Sequence, residues 1–365
     1  MSVRSMSRES DSYRGRAERF CERFRIRVPI LLAPMAGASA PELSIAVANA
    51  GGLGACGALL MQPSEIREWA KTVCASSTGQ FQLNLWIPDP PPHRDREHEA
   101  RVREFLEQWG PTLPPGAGDA VPPDFAAQCD ELLESGAPIV SSVMGMFDPE
   151  YVARIKARGM DWFAIVSTLG EAKRAASAGA DAIVVQGAEA GGHRAAFFAE
   201  LAERELVGLF SLLPAVVDAV SVPVIATGGI ADGRGVAAAF ALGASAVQIG
   251  TGFLRCPEAK IHPAWADALR TTAPEGTIIS RVFSGRAGRS VSTAYVRAAT
   301  MPDAPEPAPY PVQRALTAPM RAAAAAANDI ERMQAWAGQS AALAQNRPAG
   351  ELVRELWEEA QAILA

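Results

Sequence analysis

The chain has few of the residues that most often announce a special chemistry. Its 365 residues hold five cysteines and four histidines. Cys21, Cys56, Cys74, Cys129 and Cys256 are odd in number, scattered and never spaced C-x-x-C. This excludes a disulfide framework and a structural zinc site, and favours a reducing cytoplasm. His93 and His98 fall in a charged segment read as a helix over 93–107, without the acidic companions of a metal site, so no metal is expected. No apolar run approaches the roughly twenty residues of a membrane span. Basic charge is also scarce. Lys and Arg number 34 against 40 Asp and Glu, the net charge is −6, and no dense basic patch invites nucleic acid. No G-x-G-x-x-G follows a strand, so no separate Rossmann domain is read. Residues 1–24 begin polar, lack the apolar core of a secretory signal, and are expected to form a disordered arm.

What the chain does have is a repeating unit. A short apolar run ends in a polar residue or glycine, and an alanine-rich helical segment follows. The runs are "VPILLAPM" (28–35), "LGACGAL" (53–59), "FQLNLWI" (81–87), "PIVSSVMG" (138–145), "DWFAIVST" (161–168), "DAIVVQGA" (181–188), "VPVIATGG" (222–229) and "SAVQIGTG" (245–252). Strands buried on both faces read as continuous apolar runs, as these do. The helices are punctuated: Thr168 with Glu171 makes a capping box, Asp232 is an N-cap, and Gly179 and Gly243 close their helices. Eight strands alternating with helices predict an α/β fold, a (β/α)8 TIM barrel; an open doubly wound sheet is the competing architecture. The barrel is expected over 25–87 and 138–253. The proline-rich segments 88–137 and 254–337 are expected to form a smaller lid or substrate domain. Residues 338–365 are expected as C-terminal helices packed on the barrel.

In such a barrel the chemistry lies at the C-terminal ends of the strands. Those positions hold Met35, Asn84, Gln186, Gly228, Gly229, Gln248, Gly250 and Thr251, with His193 in the loop after strand six. Paired glycines after strands seven and eight serve tight turns, but together they match the usual phosphate site of this fold. Asn84 and Gln186 either bond to neighbouring backbone within the barrel or offer donor and acceptor to a heterocycle. His193 follows two glycines, so it either meets solvent in a loop or reaches over the barrel mouth as a base or anion holder. Cys256 has no adjacent base, His262 precedes a proline at a helix start, and "QAWAGQSAALA" reads as a helix burying Trp336 unless that residue faces the site.

These stretches, with "PILLAPMAGASAPELSIAVANAGGLGACG", "IVVQGAEAGGHRAAF", "PVIATGGIADGRGVAAAFALGASAVQIGTGFLRCPEA" and "FSGRAGRS", resemble the nitronate monooxygenase family, formerly 2-nitropropane dioxygenases, from about residue 28 to 348. The resemblance implies an FMN-dependent oxidase that needs no NAD(P)H and turns nitronates and O2 into carbonyl compounds and nitrite. It implies that Met35, Asn84, Gln186, Gly191, Gly192, Gly228, Gly229, Gln248, Gly250 and Thr251 hold FMN, that His193 is the catalytic base or anion-positioning residue, and that Tyr310 and Trp336 face the substrate. One departure stands out. The best-known class carries two tyrosines and a lysine at intervals of four; here Tyr310 is followed by Arg314 and Ala318. FMN-dependent enoyl-acyl-carrier-protein and NADH:quinone reductases share these motifs and are the alternative. A flavin-free barrel for phosphorylated substrates and a non-catalytic flavoprotein are further rivals. Small molecules are the expected partners, and a homodimer is left open.

Overall fold

The computed structural model describes residues 12–365. All eight apolar runs are strands: β1 (Ile30–Leu32), β2 (Gly54–Gly57), β3 (Phe81–Trp86), β4 (Ile139–Val143), β5 (Asp161–Val166), β6 (Ala182–Gln186) and, after a two-residue β7 (Gly192–His193), β8 (Val224–Thr227) and β9 (Ala246–Ile249). The parallel order is β1-β9-β8-β6-β5-β4-β3-β2. A parallel bridge from Leu31 to Leu53 joins the ends of that order, with Leu32 N–H donating to Leu53 O at 2.8 Å. The sheet is therefore closed, a (β/α)8 barrel rather than an open doubly wound sheet.

Alternation along each strand divides the core in two. Ile183 and Val185 of β6 face the surrounding helices, while Ala182 and Val184 face inward with Leu31, Phe163, Ile225 and Ala246. The helices start where their caps stand. Thr168 and Glu171 form the reciprocal capping box, and Asp232 accepts from Gly235 N–H at 2.9 Å.

Four expectations change. Of the arm expected over 1–24, residues 1–11 lie outside the described residues, but Tyr13–Phe24 is a helix capped by Ser12. Its polar face disguised Phe20 and Phe24, which enter the inward-facing core; the Phe24 ring meets Phe163 edge-on at 4.8 Å. Burying each phenyl ring contributes about 2–3 kcal/mol, enough to dock a helix that is otherwise charged. The helix Phe125–Glu134, expected in the lid, packs Cys129, Leu132 and Leu133 into the outer layer of the barrel. His93 precedes the charged helix, which runs Arg96–Glu107 and carries only His98.

The region expected as a lid contains an antiparallel pair, β10 (Thr277–Ser280) and β11 (Gly288–Val291), and β11 also pairs with β7. It has its own core of Val102, Leu106, Phe283, Tyr295, Leu316 and Met320. The segment after Trp336 is not a helix. Trp336 bridges to Ser290, and only a short 3-10 turn, Ala341–Leu343, follows. The last helix, Ala349–Leu364, buries Leu352, Val353 and Leu356 against the barrel. No helix among the described residues is long and apolar enough to cross a membrane.

Candidate active site

The mouth of the barrel follows from strand periodicity. Leu83 and Leu85 of β3 face the helices, so Gln82, Asn84 and Trp86 stand on the opposite, inward side. The same alternation brings Gln186, Thr227 and Gln248 inward at the ends of β6, β8 and β9. These ends open on a cavity of about 410 Å³, within the range of small-ligand sites. Met35, Asn84, Gln186, Gly191, Gly192, His193, Gly228, Gly229, Gln248, Gly250, Thr251, Tyr310 and Trp336 all line it.

One end of the cavity is made of unpaired backbone. Gly228 and Gly229 have φ of 115° and 69°, a conformation that L side chains rarely adopt. The N–H groups of Gly228, Gly229, Gly250 and Thr251 have no backbone acceptor among the described residues. Four such donors at the ends of adjacent strands suit an anion such as a phosphate. Gly191 is needed for a close approach: a Cβ there would lie 2.5 Å from Gly338 N. The Gly338 N–H donates to Thr251 Oγ1 at 3.0 Å and that of Gln339 to Glu189 O at 3.0 Å, so this segment straps the loops after β6 and β9.

The three amides differ. Asn84 Nδ2 donates to Ser141 O and Oγ at 3.2 and 3.0 Å, and Gln248 Oε1 accepts from Gln82 Nε2 at 3.0 Å. Asn84 Oδ1 and Gln248 Nε2 remain as an acceptor and a donor on the cavity. Gln186 is committed at both ends: Nε2 donates to His193 O at 3.0 Å and Oε1 accepts from Ala195 N–H at 2.9 Å. Its amide shapes the histidine loop from below. Buried Arg194 fixes the same loop through Gly187 O at 2.7 Å, and Arg289 through Ala188 O at 2.9 Å.

His193 sits in β7, where β11 fixes its backbone opposite Gly288. Its ring lies between Trp86 and Trp336, each with its centroid 4.6 Å away. Nε2 is 2.8 Å from Ser284 Oγ. Ser284 Oγ also donates to Arg286 O at 3.1 Å and accepts from Arg286 N–H at 3.3 Å. When the Ser284 hydroxyl gives its one proton to Arg286 O it accepts from Nε2, and in that tautomer the lone pair is on Nδ1. Burial, then the charges of Arg286 and Arg314, push the imidazole down to about 3. The ring is neutral at ordinary pH.

That shift has a consequence for stability. The unfolded chain takes up the imidazole proton near 6.5, whereas the folded protein refuses it until about 3. His193 therefore costs nothing above pH 6.5 and costs stability as pH falls below it. Between about pH 6 and 4 the wild type is expected to lose up to about 1.4 kcal/mol per pH unit more than His193→Gln. Urea unfolding of both proteins across that range checks this, and parallel pH curves would contradict it.

Charge around the mouth is one-sided. Among the described residues no Asp, Glu or Lys lines the cavity, while Arg314 and Arg321 do. Arg286, just behind, is paired with Asp89 through two contacts of 2.9 Å and donates to Ala196 O at 2.8 Å. The remaining candidates are structural. Cys256 is buried, which pushes its thiol up to about 12, so it is no nucleophile. His262 caps the helix Pro263–Thr271, accepting from Ala264 N–H at 3.2 Å. No cluster of three metal-ligating side chains exists among the described residues. Sequence reasoning missed Trp86, Ser284 and Arg286. Trp86 was findable, since it continues the inward alternation of Gln82 and Asn84; Ser284 and Arg286 lie in "FSGRAGRS", whose contacts depend on lid folding.

Known proteins resemble this chain in sequence and fold. The nitronate monooxygenase family model matches residues 18–359. A nitronate monooxygenase of Paraburkholderia phytofirmans is 37% identical over 341 residues, 91% of this chain and 92% of that relative. The solved nitroalkane oxidase of Streptomyces ansochromogenes superposes with a TM-score of 0.84 at 35% identity, covering 93% of this chain and 98% of its own. FabK of Thermotoga maritima superposes with a TM-score of 0.73 at 27% identity, covering 95% and 96%. The family match begins within the helix Tyr13–Phe24 and ends within the last helix, and the chain belongs to the nitronate monooxygenase family.

Proposed function

We propose that this chain binds FMN in the barrel mouth and oxidises alkyl nitronates with dioxygen to carbonyl compounds and nitrite. The observation that carries the reading is the charge of the cavity: arginines without a lining carboxylate, beside a neutral imidazole, suit a small electron-rich anion. The same residues fit the cofactor. The four unpaired N–H groups after β8 and β9 suit its phosphate, and Asn84 Oδ1 with Gln248 Nε2 suits the edge of its ring. FMN, when bound, supplies the electron transfer from substrate to dioxygen.

The protein supplies position, charge and dryness. Trp86, Trp336 and Tyr310 wall the cavity with apolar surface; the Trp86 and Tyr310 rings are 5.6 Å apart. His193, fixed by Ser284 and both indoles, presents Nδ1 as its free hydrogen-bonding atom. With a neutral nitroalkane, Nδ1 takes the acidic C–H proton; with a preformed nitronate, no proton need move. Arg286 and Arg314 oppose the protonated ring, so preformed nitronate is the better substrate.

The test is direct. Protein purified with its flavin is expected to release nitrite from an alkyl nitronate while consuming O2, with no nicotinamide added. Flavin-loaded protein that releases no nitrite under those conditions sinks the reading, and nitronate-independent NADH consumption would favour a reductase on the same barrel.

A further inference from the structure

We propose that Arg314 is the substrate-anion residue of this site, its guanidinium taking the two oxygens of the nitronate and so selecting the anion over the neutral nitro compound. The inference rests on the nitronate reading above and adds a residue to it. Arg314 belongs to the short helix Val312–Leu316, four residues after Tyr310, and its side chain lines the cavity. Among the described residues its guanidinium has no hydrogen bond or ion pair, unlike its neighbours. Arg286 has Asp89. Arg321 donates to Thr317 Oγ1 at 3.2 Å and Gln334 Oε1 at 3.0 Å.

A half-buried guanidinium on the cavity wall with no protein acceptor is open to a ligand anion. Burial lowers Arg314 from its ordinary value, and no lining carboxylate offsets it. A ligand anion does. The cofactor phosphate has its own donors at the ends of β8 and β9. Arg314 instead acts on the other half of the cavity, where its charge reaches both His193 and Tyr310. An anion beside His193 is therefore within its field. The fit is also one of shape. A guanidinium is a planar fork that matches a planar two-oxygen anion, and a nitronate is one. A neutral nitroalkane offers no charge to hold.

Nitrate, a planar and redox-inert anion here, is the probe. Its binding to the FMN-loaded protein is measured by titration calorimetry, beside KM for an alkyl nitronate. Arg314→Gln is expected to weaken nitrate binding and raise KM by about 10- to 100-fold, the range of a charge-assisted hydrogen-bonded pair, with flavin content unchanged. Arg314→Lys keeps the charge without the fork and is expected to recover only part of the binding; it also serves if the Gln variant loses FMN. Nitrate affinity and KM within twofold of wild type would overturn the proposal. So would an unchanged KM for the simple nitronate together with a raised KM for one bearing a carboxylate, which would move Arg314 to the substrate's tail. If wild type binds nitrate through Arg314 but oxidises no nitronate, the anion site stands and the functional reading falls.

Discussion

His193→Ala is expected to keep FMN and to lose turnover of a neutral nitroalkane by about 10²-fold, the low end for a positioned proton acceptor, because an imidazole held near 3 is a weak base. Turnover of the preformed nitronate is expected to fall less, because only the positioning role is removed. The contrast follows from the ring's surroundings. Two indoles and Ser284 hold it in one orientation, and burial, then two nearby guanidiniums, keep it neutral. A neutral imidazole is already in the base form at every working pH, so the nitronate reaction should show no ionisation of His193 between pH 5 and 8. The comparison requires both substrates and a flavin count on the same preparation. Equal losses with the two substrates would remove the proton-transfer role. Loss of FMN would make His193 a cofactor or structural residue.

The second large effect is expected at Arg286. This side chain is almost fully buried and ties three separate pieces together: the loop after β3 through Asp89, the segment after β7 through Ala196 O, and the turn between β10 and β11 to which it belongs. Arg286→Leu leaves Asp89 in a half-buried place with no counterion. Breaking a buried pair from one side costs about 3–5 kcal/mol; because Asp89 keeps a quarter of its exposure, about 3 kcal/mol is expected. The turn also carries Ser284, so turnover should fall even where the variant is folded. Urea unfolding gives the stability loss, and Asp89→Leu in the same background should recover part of it by removing the stranded carboxylate. A single variant as stable as wild type would show that the tie does not hold the lid.

The barrel was legible because its strands are buried on both faces, so each reads as an uninterrupted apolar run such as "AIVVQ". The mouth was legible because strand alternation and fold geometry leave few places for Asn84, Gln248 and the paired glycines. The helix Tyr13–Phe24 was not, because Phe20 and Phe24 are two apolar residues in a charged segment and Phe163, which the Phe24 ring meets, lies far along the chain. The environment of His193 was hidden for a related reason. The pairing of β7 with β11 covers two residues and joins segments about a hundred positions apart, and no local periodicity encodes it. Gln186 shows the limit of residue type alone. The amide lines the cavity and also bonds His193 O and Ala195 N–H, contacts that residue type does not encode. Arg314 was visible only as a departure from the family's tyrosines and lysine; its lack of a protein partner gave that departure a physical meaning.

The most direct measurement is anaerobic. The yellow holoprotein is mixed with an alkyl nitronate, and separately with NADH and with NADPH, while the visible absorbance of the flavin is recorded. The account predicts loss of that absorbance with nitronate alone and its return on admitting air, together with nitrite. Bleaching by a nicotinamide and none by nitronate would contradict it.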